Sequence, residues 1–150
     1  MLSILIPTYN YNVYPLVTEL KNQADVLGIA YEILVQDDGS SLYLEENRKI
    51  NDLANCSFHE NKENIGRSKV RNLLSTQAKF NWLLFLDSDT FPKNSDFIQN
   101  YIQNISSNTG VIYGGIEYQN EKPEKNRILR WVYGKEREAL SVNNRNKNTL

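Results

Sequence analysis

The sequence predicts an α/β fold with a mainly parallel central sheet flanked by helices. Apolar stretches suited to strands alternate with helical stretches along most of the chain, which is typical of βα units. Residues 81–92, NWLLFLDSDTFP, contain a continuous apolar run at 82–86, as expected of a central strand covered on both faces. That run leads directly into Asp87, Ser88 and Asp89. Because ligands bind beyond the carboxyl ends of strands in open α/β sheets, this stretch also predicts the position of a binding site.

The individual elements follow from apolar spacing and from proline, glycine and turn signals. Pro7 cannot donate to a central ladder, so we expect it to end the first strand. Gly28 is expected to end the first helix, and the turn at residues 37–40, DDGS, to end the second strand. The expected strands cover residues 2–6, 31–36, 56–59, 82–86 and 110–113, and the expected helices cover 16–27, 42–53, 67–78, 96–105 and the region around 128–132.

Size and charge fit one globular domain without a general affinity for polyanions. The chain has 150 residues and a formal net charge of −1, from 17 basic and 18 acidic side chains that are well mixed. We therefore expect a single domain over residues 1–150, with a polar, frayed tail at 143–150. The charge balance argues against nucleic acid as a partner and against general attraction to anionic membranes.

The sequence favours a cytoplasmic protein. No stretch resembles a signal peptide, and no apolar run approaches the ~20 residues that a membrane helix requires. The single cysteine, Cys56, excludes an internal disulfide and suits a reducing compartment. Cys56 and His59 are expected on one short strand, in structural roles.

Polar residues follow three of the predicted strands and are expected to meet at one edge of the sheet. Thr8 and Tyr9 follow the first strand, Asp38 lies in the turn after the second, and Asp87 and Asp89 follow the fourth. An aromatic ring and several acids suit a nucleotide, since Tyr9 can pack on a base and Asp38 can accept from an imide N–H or a ribose hydroxyl. Two neighbouring carboxylates call for a cation, and Mg²⁺ or Mn²⁺ carried by a phosphorylated substrate is the simplest one. The alternative is a solvated turn.

Basic residues open the helix predicted after Gly66. Arg67, Lys69 and Arg71 lie in its first turns, where free N–H groups and the positive end of the helix dipole also favour an anion. This predicts that Gly66 and the helix start bind the phosphates of a nucleotide. The alternative is a solvated basic helix face.

Four motifs in this order, LSILIPTYN, EILVQDDGS, ENIGRSKVRN and LLFLDSD, resemble the amino-terminal half of a family 2 glycosyltransferase of GT-A fold. The resemblance covers roughly residues 2–118, and four ordered motifs are far more specific than one. By position, Pro7 and Tyr9 match the family's uracil-side residues, with Thr8 between them. Asp38 matches the aspartate that contacts the base. A uridine nucleotide is the donor that these matches imply.

The resemblance also implies residues for the diphosphate and the metal. Arg71 matches the arginine of the family's Ala-Arg-Asn element on the nucleotide side, with Val70 in place of the usual alanine. Asp87 and Asp89 match the Asp-x-Asp pair, the second being the ligand of Mn²⁺ or Mg²⁺ at the donor diphosphate. The pair Gly114-Gly115 falls where the family has a loop near the donor sugar and the acceptor.

The activity implied is metal-dependent transfer of a sugar from a nucleotide diphosphate to a hydroxyl of a saccharide or lipid-linked acceptor, with inversion. A carboxylate base would take the acceptor's proton, and the family has this residue in a later motif. We therefore expect the base beyond Leu150, and an incomplete domain that binds donor but transfers little sugar. We also expect self-association through residues 128–140, and a location at the inner face of the membrane if the acceptor is a lipid.

Two other functions remain open at this point. A sugar nucleotidyltransferase has a related sheet, but it would carry a glycine-rich basic loop after the first strand, where this chain has Pro7-Thr8-Tyr9-Asn10. A non-catalytic nucleotide-binding or scaffold module would use the same acids as solvated turns. Metal-dependent binding of a nucleotide diphosphate separates the transferase from the scaffold.

Overall fold

The computed structural model of the chain describes residues 1–106 and 109–147. The chain divides into two compact units, Met1–Ile105 and Ser106–Leu150. A single domain over the whole chain stays a prediction.

The first unit alternates strands and helices as predicted, and the second contains short helical segments. The strands are β1 (Leu2–Thr8), β2 (Tyr31–Asp37), β3 (Cys56–Glu60) and β4 (Leu83–Phe85). The helices are α1 (Tyr14–Leu27), α2 (Leu44–Arg48) with a 3₁₀ turn (Lys49–Asp52), α3 (Arg67–Gln77), α4 (Phe97–Gln103), α5 (Ile128–Tyr133) with a π turn (Gly134–Glu138), and α6 (Val142–Asn146).

The four strands form one sheet in the order β3-β2-β1-β4, and every pair is parallel. The predicted α/β fold with a parallel sheet is therefore confirmed. Thr8 at the end of β1 pairs with Asp37 at the end of β2, which in turn pairs with Glu60 at the end of β3. This register brings the carboxyl ends of three strands to one edge.

Helices cover both faces of the sheet because side chains alternate along each strand. On one face, Ile4 and Ile6 pack with α1 and with Ile98 of α4. On the other face, Leu5 packs with Val70 and Leu74 of α3. Burying one such aliphatic side chain contributes about 1.5–3 kcal/mol, so α3 is held against the sheet by its apolar face. Its polar face is left at the surface.

The prediction that Pro7 ends the first strand is wrong, because β1 continues to Thr8. The N–H of Ser3 donates to the Trp82 carbonyl on the β4 side, and the two-residue period of a strand places the Pro7 nitrogen on that side as well. Pairing with β4 ends at Leu5. The missing N–H of Pro7 therefore removes no bond between β1 and β2.

The prediction of a central strand at residues 82–86 is also wrong, because β4 is a three-residue strand at the edge of the sheet. The side chain of Leu83 is 38% exposed, and only Leu84 is buried. In residues 1–106 and 109–147 no strand pairs with the outer side of β4. The strand predicted at 110–113 is absent too, and Val111 is 88% exposed. An apolar run in a sequence indicates that a segment is hydrophobic, but it does not indicate how many strands and helices pack against that segment.

Smaller differences concern helix lengths. The helix predicted at 42–53 is a single turn of α2 followed by the 3₁₀ turn, and α4 is shorter than predicted. The frayed tail predicted at 143–150 is helical up to Asn146, since the Ser141 side chain caps α6 by accepting from the N–H of Asn144. Residues 148–150 lie outside the described part.

Candidate functional site

The loops that follow β1 and β2 are tied together at the carboxyl edge of the sheet. The N–H of Asp38 donates to the carbonyl of Thr8 at 2.9 Å. The N–H of Asn10 donates to Ser40 Oγ at 2.7 Å, and its own side-chain oxygen accepts from the N–H of Ser41 at 2.9 Å. Two of the predicted loops are therefore joined in one structure.

Asp38 lies under this edge and binds the start of α3. Its carboxylate accepts from the backbone N–H of Ile65 at 2.7 Å and of Gly66 at 3.0 Å, and the Asn61 amide donates at 3.3 Å. The side chain is only 5% exposed. These contacts bring predicted residues Asp38 and Gly66 together. They also give the carboxylate a structural role: Oδ1 accepts two hydrogen bonds and Oδ2 accepts one, so Oδ2 has a second lone pair for a ligand.

Gly39 allows this close approach. Its φ of +77° is a region that L side chains rarely adopt, and a Cβ there would lie 2.7 Å from the carbonyl carbon of Glu63 and 2.8 Å from the nitrogen of Asn64. A side chain at this position would push the loop after β2 away from the loop before α3. The sequence identifies Gly39 as part of a turn. It does not predict the close approach to Glu63 and Asn64, because that loop lies more than twenty residues further along the chain.

Asp87, at the end of β4, is held by two arginines of α3. Arg67 Nη2 donates to both carboxylate oxygens at 2.8 and 2.7 Å, and Arg71 Nη2 donates to Oδ1 at 2.5 Å. The Arg71 guanidinium also lies 5.2 Å from the ring centre of Phe85, within reach of a cation–π interaction. The predicted residues Arg71 and Asp87 are thus in direct contact. The sequence indicates Arg67 only as one of three basic residues at the start of this helix and does not predict its contact with Asp87.

A continuous series of contacts now links the ends of three strands. Thr8 contacts Asp38, which binds Gly66, and the next residue, Arg67, binds Asp87. The separate sequence motifs therefore meet in one site at the carboxyl edge of the sheet.

Tyr9 and Asp89 lie at the rim of the site. The Tyr9 side chain is 54% exposed, so its ring is accessible to a ligand. Asp89 is exposed on a turn in which Thr90 donates to the Asp87 carbonyl through both its N–H and its hydroxyl. Both predicted residues lie at the expected edge of the sheet. Tyr9 follows Pro7 and Thr8, and Asp89 lies two residues after Asp87.

The residues at this edge fit a divalent cation only in part. The exposed carboxylate of Asp89 is a suitable oxygen ligand for Mg²⁺ or Mn²⁺, which often take one or two protein carboxylates besides phosphate. Asp87 differs, because both its oxygens already accept from guanidinium groups. Among the described residues no group of three or more His, Cys, Asp and Glu side chains could hold a metal.

Gly114 and Gly115 belong to the second unit, where residues 109–120 have no regular secondary structure. A Cβ on Gly115 would lie 3.3 Å from the Arg145 guanidinium. Arg145 Nη1 donates to the Tyr113 carbonyl at 3.2 Å, so this glycine loop packs against α6. Its predicted place near the donor sugar and acceptor stays a prediction.

The amino edge of the sheet carries a different polar group. A cavity of about 380 Å³ there is lined by Glu32, Ser57 and Lys79, among others. Glu32 is buried and accepts from Ser3 Oγ at 2.6 Å. Cys56 also lines it, and burial raises the pKa of its thiol to about 11. This cavity lies at the opposite edge of the sheet from the residues predicted to bind a nucleotide, and none of those residues lines it.

Comparisons with known proteins identify relatives of the chain. A family model described as Glycosyl transferase family 2 matches residues 3–149. Chondroitin synthase of Escherichia coli is 35% identical over 114 residues, which cover 73% of this chain and 16% of that protein. S. aureus TarS 1-349 in complex with UDP-GlcNAc is 28% identical, with a TM-score of 0.53 over 68% of this chain and 30% of that chain.

A more distant structure supports the fold alone. Mannosyltransferase PcManGT from Pyrobaculum calidifontis, in complex with GDP-Man and Mn²⁺, is 20% identical, with a TM-score of 0.51 over 68% of this chain and 31% of that chain. The chain therefore spans less than a third of the length of these three relatives. In the described residues, no helix is long and apolar enough to cross a membrane.

The family match covers nearly the whole chain, and the structural neighbours are GT-A glycosyltransferases. The resemblance carried by the four sequence motifs is thereby confirmed. The chain belongs to glycosyl transferase family 2.

Proposed function

We propose that this chain binds a uridine diphosphate sugar at the carboxyl edge of the sheet, as part of an enzyme that transfers the sugar to an acceptor hydroxyl with inversion. The observation that carries the proposal is the continuous contact series from Thr8 through Asp38 and Gly66 to Arg67 and Asp87. The similarity to TarS in complex with UDP-GlcNAc supports a nucleotide-sugar donor of this kind.

The base of the donor binds beside the loops after β1 and β2. Tyr9 packs on the uracil, Pro7 and Thr8 line its edge, and Asp38 accepts a hydrogen bond from the imide N–H. Asp38 is suited to this because backbone donors hold its carboxylate in one orientation. Preorganised acceptors of this kind bind without first losing conformational entropy.

The diphosphate binds beside the start of α3 and the turn after β4. Arg71 and the first N–H groups of α3, which follow Gly66, supply positive charge, and Asp89 is a ligand for Mn²⁺ or Mg²⁺. The N–H of Gly66 itself already donates to Asp38. The metal, when bound, would supply charge neutralisation on the departing diphosphate. The family resemblance implies Asp87 as a second metal ligand, a role that its contacts with two guanidinium groups disfavour. Gly114 and Gly115 as the sugar and acceptor loop remain a prediction from the same resemblance.

The acceptor and the catalytic base are proposals from the family resemblance, and the assembly is a proposal from exposed apolar side chains. Inversion requires a carboxylate base near the acceptor hydroxyl, and no residue of this chain is assigned that role. A saccharide or lipid-linked acceptor is proposed, with a cytoplasmic location and contact with the inner membrane face if the acceptor is a lipid. Self-association through the exposed apolar side chains Leu129, Val132 and Tyr133 is tested by light scattering, and a clean monomer at high concentration contradicts it.

Calorimetry with uridine diphosphate tests the donor site. The unchanged protein should bind UDP more tightly than ADP, and Mn²⁺ should strengthen the binding. Asp89→Ala should remove the effect of Mn²⁺ without unfolding the protein. Asp52→Ala, which removes an exposed acid of the 3₁₀ turn, is the matched control and should keep it.

The outcome that contradicts the proposal is equal affinity for UDP and ADP, or no binding of either. Asp38→Asn refines the test, because the loss of one charged hydrogen bond to uracil should weaken UDP binding by about 1.5–3 kcal/mol. An unchanged preference for UDP in Asp38→Asn excludes the base contact. Binding without any metal effect would favour a nucleotide-binding module over a transferase.

A further inference from the structure

Two guanidinium groups converge on one carboxylate at the end of β4. Arg67 and Arg71 both donate to Asp87, at distances of 2.5 to 2.8 Å. The two cations lie four residues apart on α3, and this spacing puts them on one face of the helix. Two positive charges and one negative charge leave a net positive charge beside the residues proposed for the diphosphate.

The two arginines are held differently. Arg71 lies against the Phe85 ring, its Nε is buried without a hydrogen-bond partner among the described residues, and its side chain is 31% exposed. Arg67 is 68% exposed, and only its Nη2 donates within the described part of the chain. A guanidinium has five N–H donors in a fixed plane, so Arg67 has donors available for an entering anion.

Asp87 is engaged as a counterion in this arrangement. A diphosphate that binds Arg67 through both of its amino groups competes with the carboxylate, since Nη2 contacts both oxygens of Asp87. Asp89 accepts no guanidinium in the described residues and is exposed. The two acids of the Asp-x-Asp pair therefore differ in their availability as metal ligands: the oxygens of Asp87 are engaged by arginines, and those of Asp89 are exposed.

We propose that Arg67 is a phosphate-binding residue for the donor diphosphate, and that Asp87 is the counterion which Arg67 leaves when the diphosphate binds, rather than a metal ligand. This inference rests on the proposed function, since it concerns the phosphates of the same donor. Arginine suits the task because its planar fork binds phosphate oxygens in pairs.

The first test compares UDP with uridine in the presence of EDTA, followed by NMR titration. Arg67→Ala should weaken UDP binding by about tenfold, the loss of one charge-assisted hydrogen bond, and should leave uridine binding unchanged. Lys69→Ala removes the same charge from an exposed position of α3. It is the matched control and should weaken UDP binding by much less.

The second test compares Asp87→Asn with Asp89→Ala, with and without Mn²⁺. Asp87→Asn removes the competing carboxylate, so UDP should bind several-fold more tightly in EDTA, and Mn²⁺ should still strengthen binding. Asp89→Ala should leave binding in EDTA nearly unchanged and lose the effect of Mn²⁺. Thermal unfolding of each variant, monitored by circular dichroism, confirms that the fold is intact.

Some results overturn the inference while the proposed function stands. For Arg67→Ala, these are unchanged UDP binding, or an equal loss of UDP and uridine binding. For Asp87→Asn, they are loss of the Mn²⁺ effect, or weaker UDP binding. A different result, no UDP binding by the unchanged protein, overturns the proposed function and this inference together.

Discussion

The site contains two carboxylates that the fold holds in opposite ways. Asp38 is 5% exposed and accepts from the backbone N–H groups of Ile65 and Gly66. The side chain of Asp87 is 41% exposed and accepts from two arginine side chains. One acid is fixed by the backbone of a loop, and the other is paired with two arginine side chains, of which Arg67 is exposed.

This difference divides the site into a fixed half and an adjustable half. Backbone donors move only if the loop moves, and here the loop is tied to α3, whose apolar face is buried against the sheet. Side-chain donors can exchange partners by rotamer changes, which take nanoseconds in exposed residues. We infer that the base side is formed before ligand binds and that the phosphate side changes its ion pairs on binding.

The largest expected effect comes from disrupting the loop contact on the fixed side. Gly39→Ala combines a left-handed backbone position with a close backbone contact, and should lower the free energy of unfolding by about 2–5 kcal/mol. Gly28→Ala is the matched control, since Gly28 has φ +60° but open space around a Cβ. It should lower stability by about 1–2 kcal/mol. Urea unfolding of both variants measures the difference, and equal losses would show that the loop contact contributes nothing.

The next effect compares an acid of each half. Asp38→Ala leaves the half-buried N–H groups of Ile65 and Gly66 without their acceptor, and the loss of these hydrogen bonds should cost about 1–3 kcal/mol. Asp89→Ala changes an exposed side chain and should stay within about 0.5 kcal/mol of the unchanged protein. Both values come from the same urea experiment. Similar losses for the two variants would contradict the division into a fixed and an adjustable half.

The smallest effect concerns the ion pair at the end of β3. Arg48 donates to Glu60 at 2.8 and 2.9 Å, and this hydrogen bonding lowers the pKa of Glu60 below its ordinary 4.5. A lowered pKa means that the pair stabilises the folded protein fully above about pH 4.5, and that this contribution is lost as the pH falls through the folded-state pKa.

Thermal unfolding from about pH 6 to about pH 3 checks this effect. The unchanged protein should lose slightly more stability on acidification than Glu60→Gln, because the pair is exposed and surface pairs contribute little. A steeper loss in Glu60→Gln would reverse the sign and contradict the assignment.

Much of the fold, and of the fixed half within it, was predictable because the signals are local. Gly28 ends α1 as expected with φ +60°, and the turn that contains Asp38 and Gly39 follows β2. The parallel sheet followed from the alternation of strands and helices. The resemblance to the family then placed Asp38 and Arg71 at the same edge of the sheet.

What escaped prediction depends on distant partners. Residues 82–86 form a central strand only if strands pair with them on both sides. The apolar run in the sequence does not show how many strands pair with it. Arg67 is one of three basic residues at the start of α3, and only the folded structure shows that it shares Asp87 with Arg71. The contact of Gly39 with Glu63 was likewise invisible, because it joins two loops that are separate in sequence.

Amide hydrogen exchange measured by NMR tests the division of the site most directly. Amides held by buried acceptors exchange slowly, and those in mobile regions exchange fast. We predict that the N–H groups of Ile65 and Gly66 are already protected without ligand and change little when UDP and Mn²⁺ are added. The Nε–H signals of Arg67 and Arg71 should shift strongly on the same addition. Fast exchange at Ile65 and Gly66 that becomes slow only with UDP would contradict a base side formed in advance.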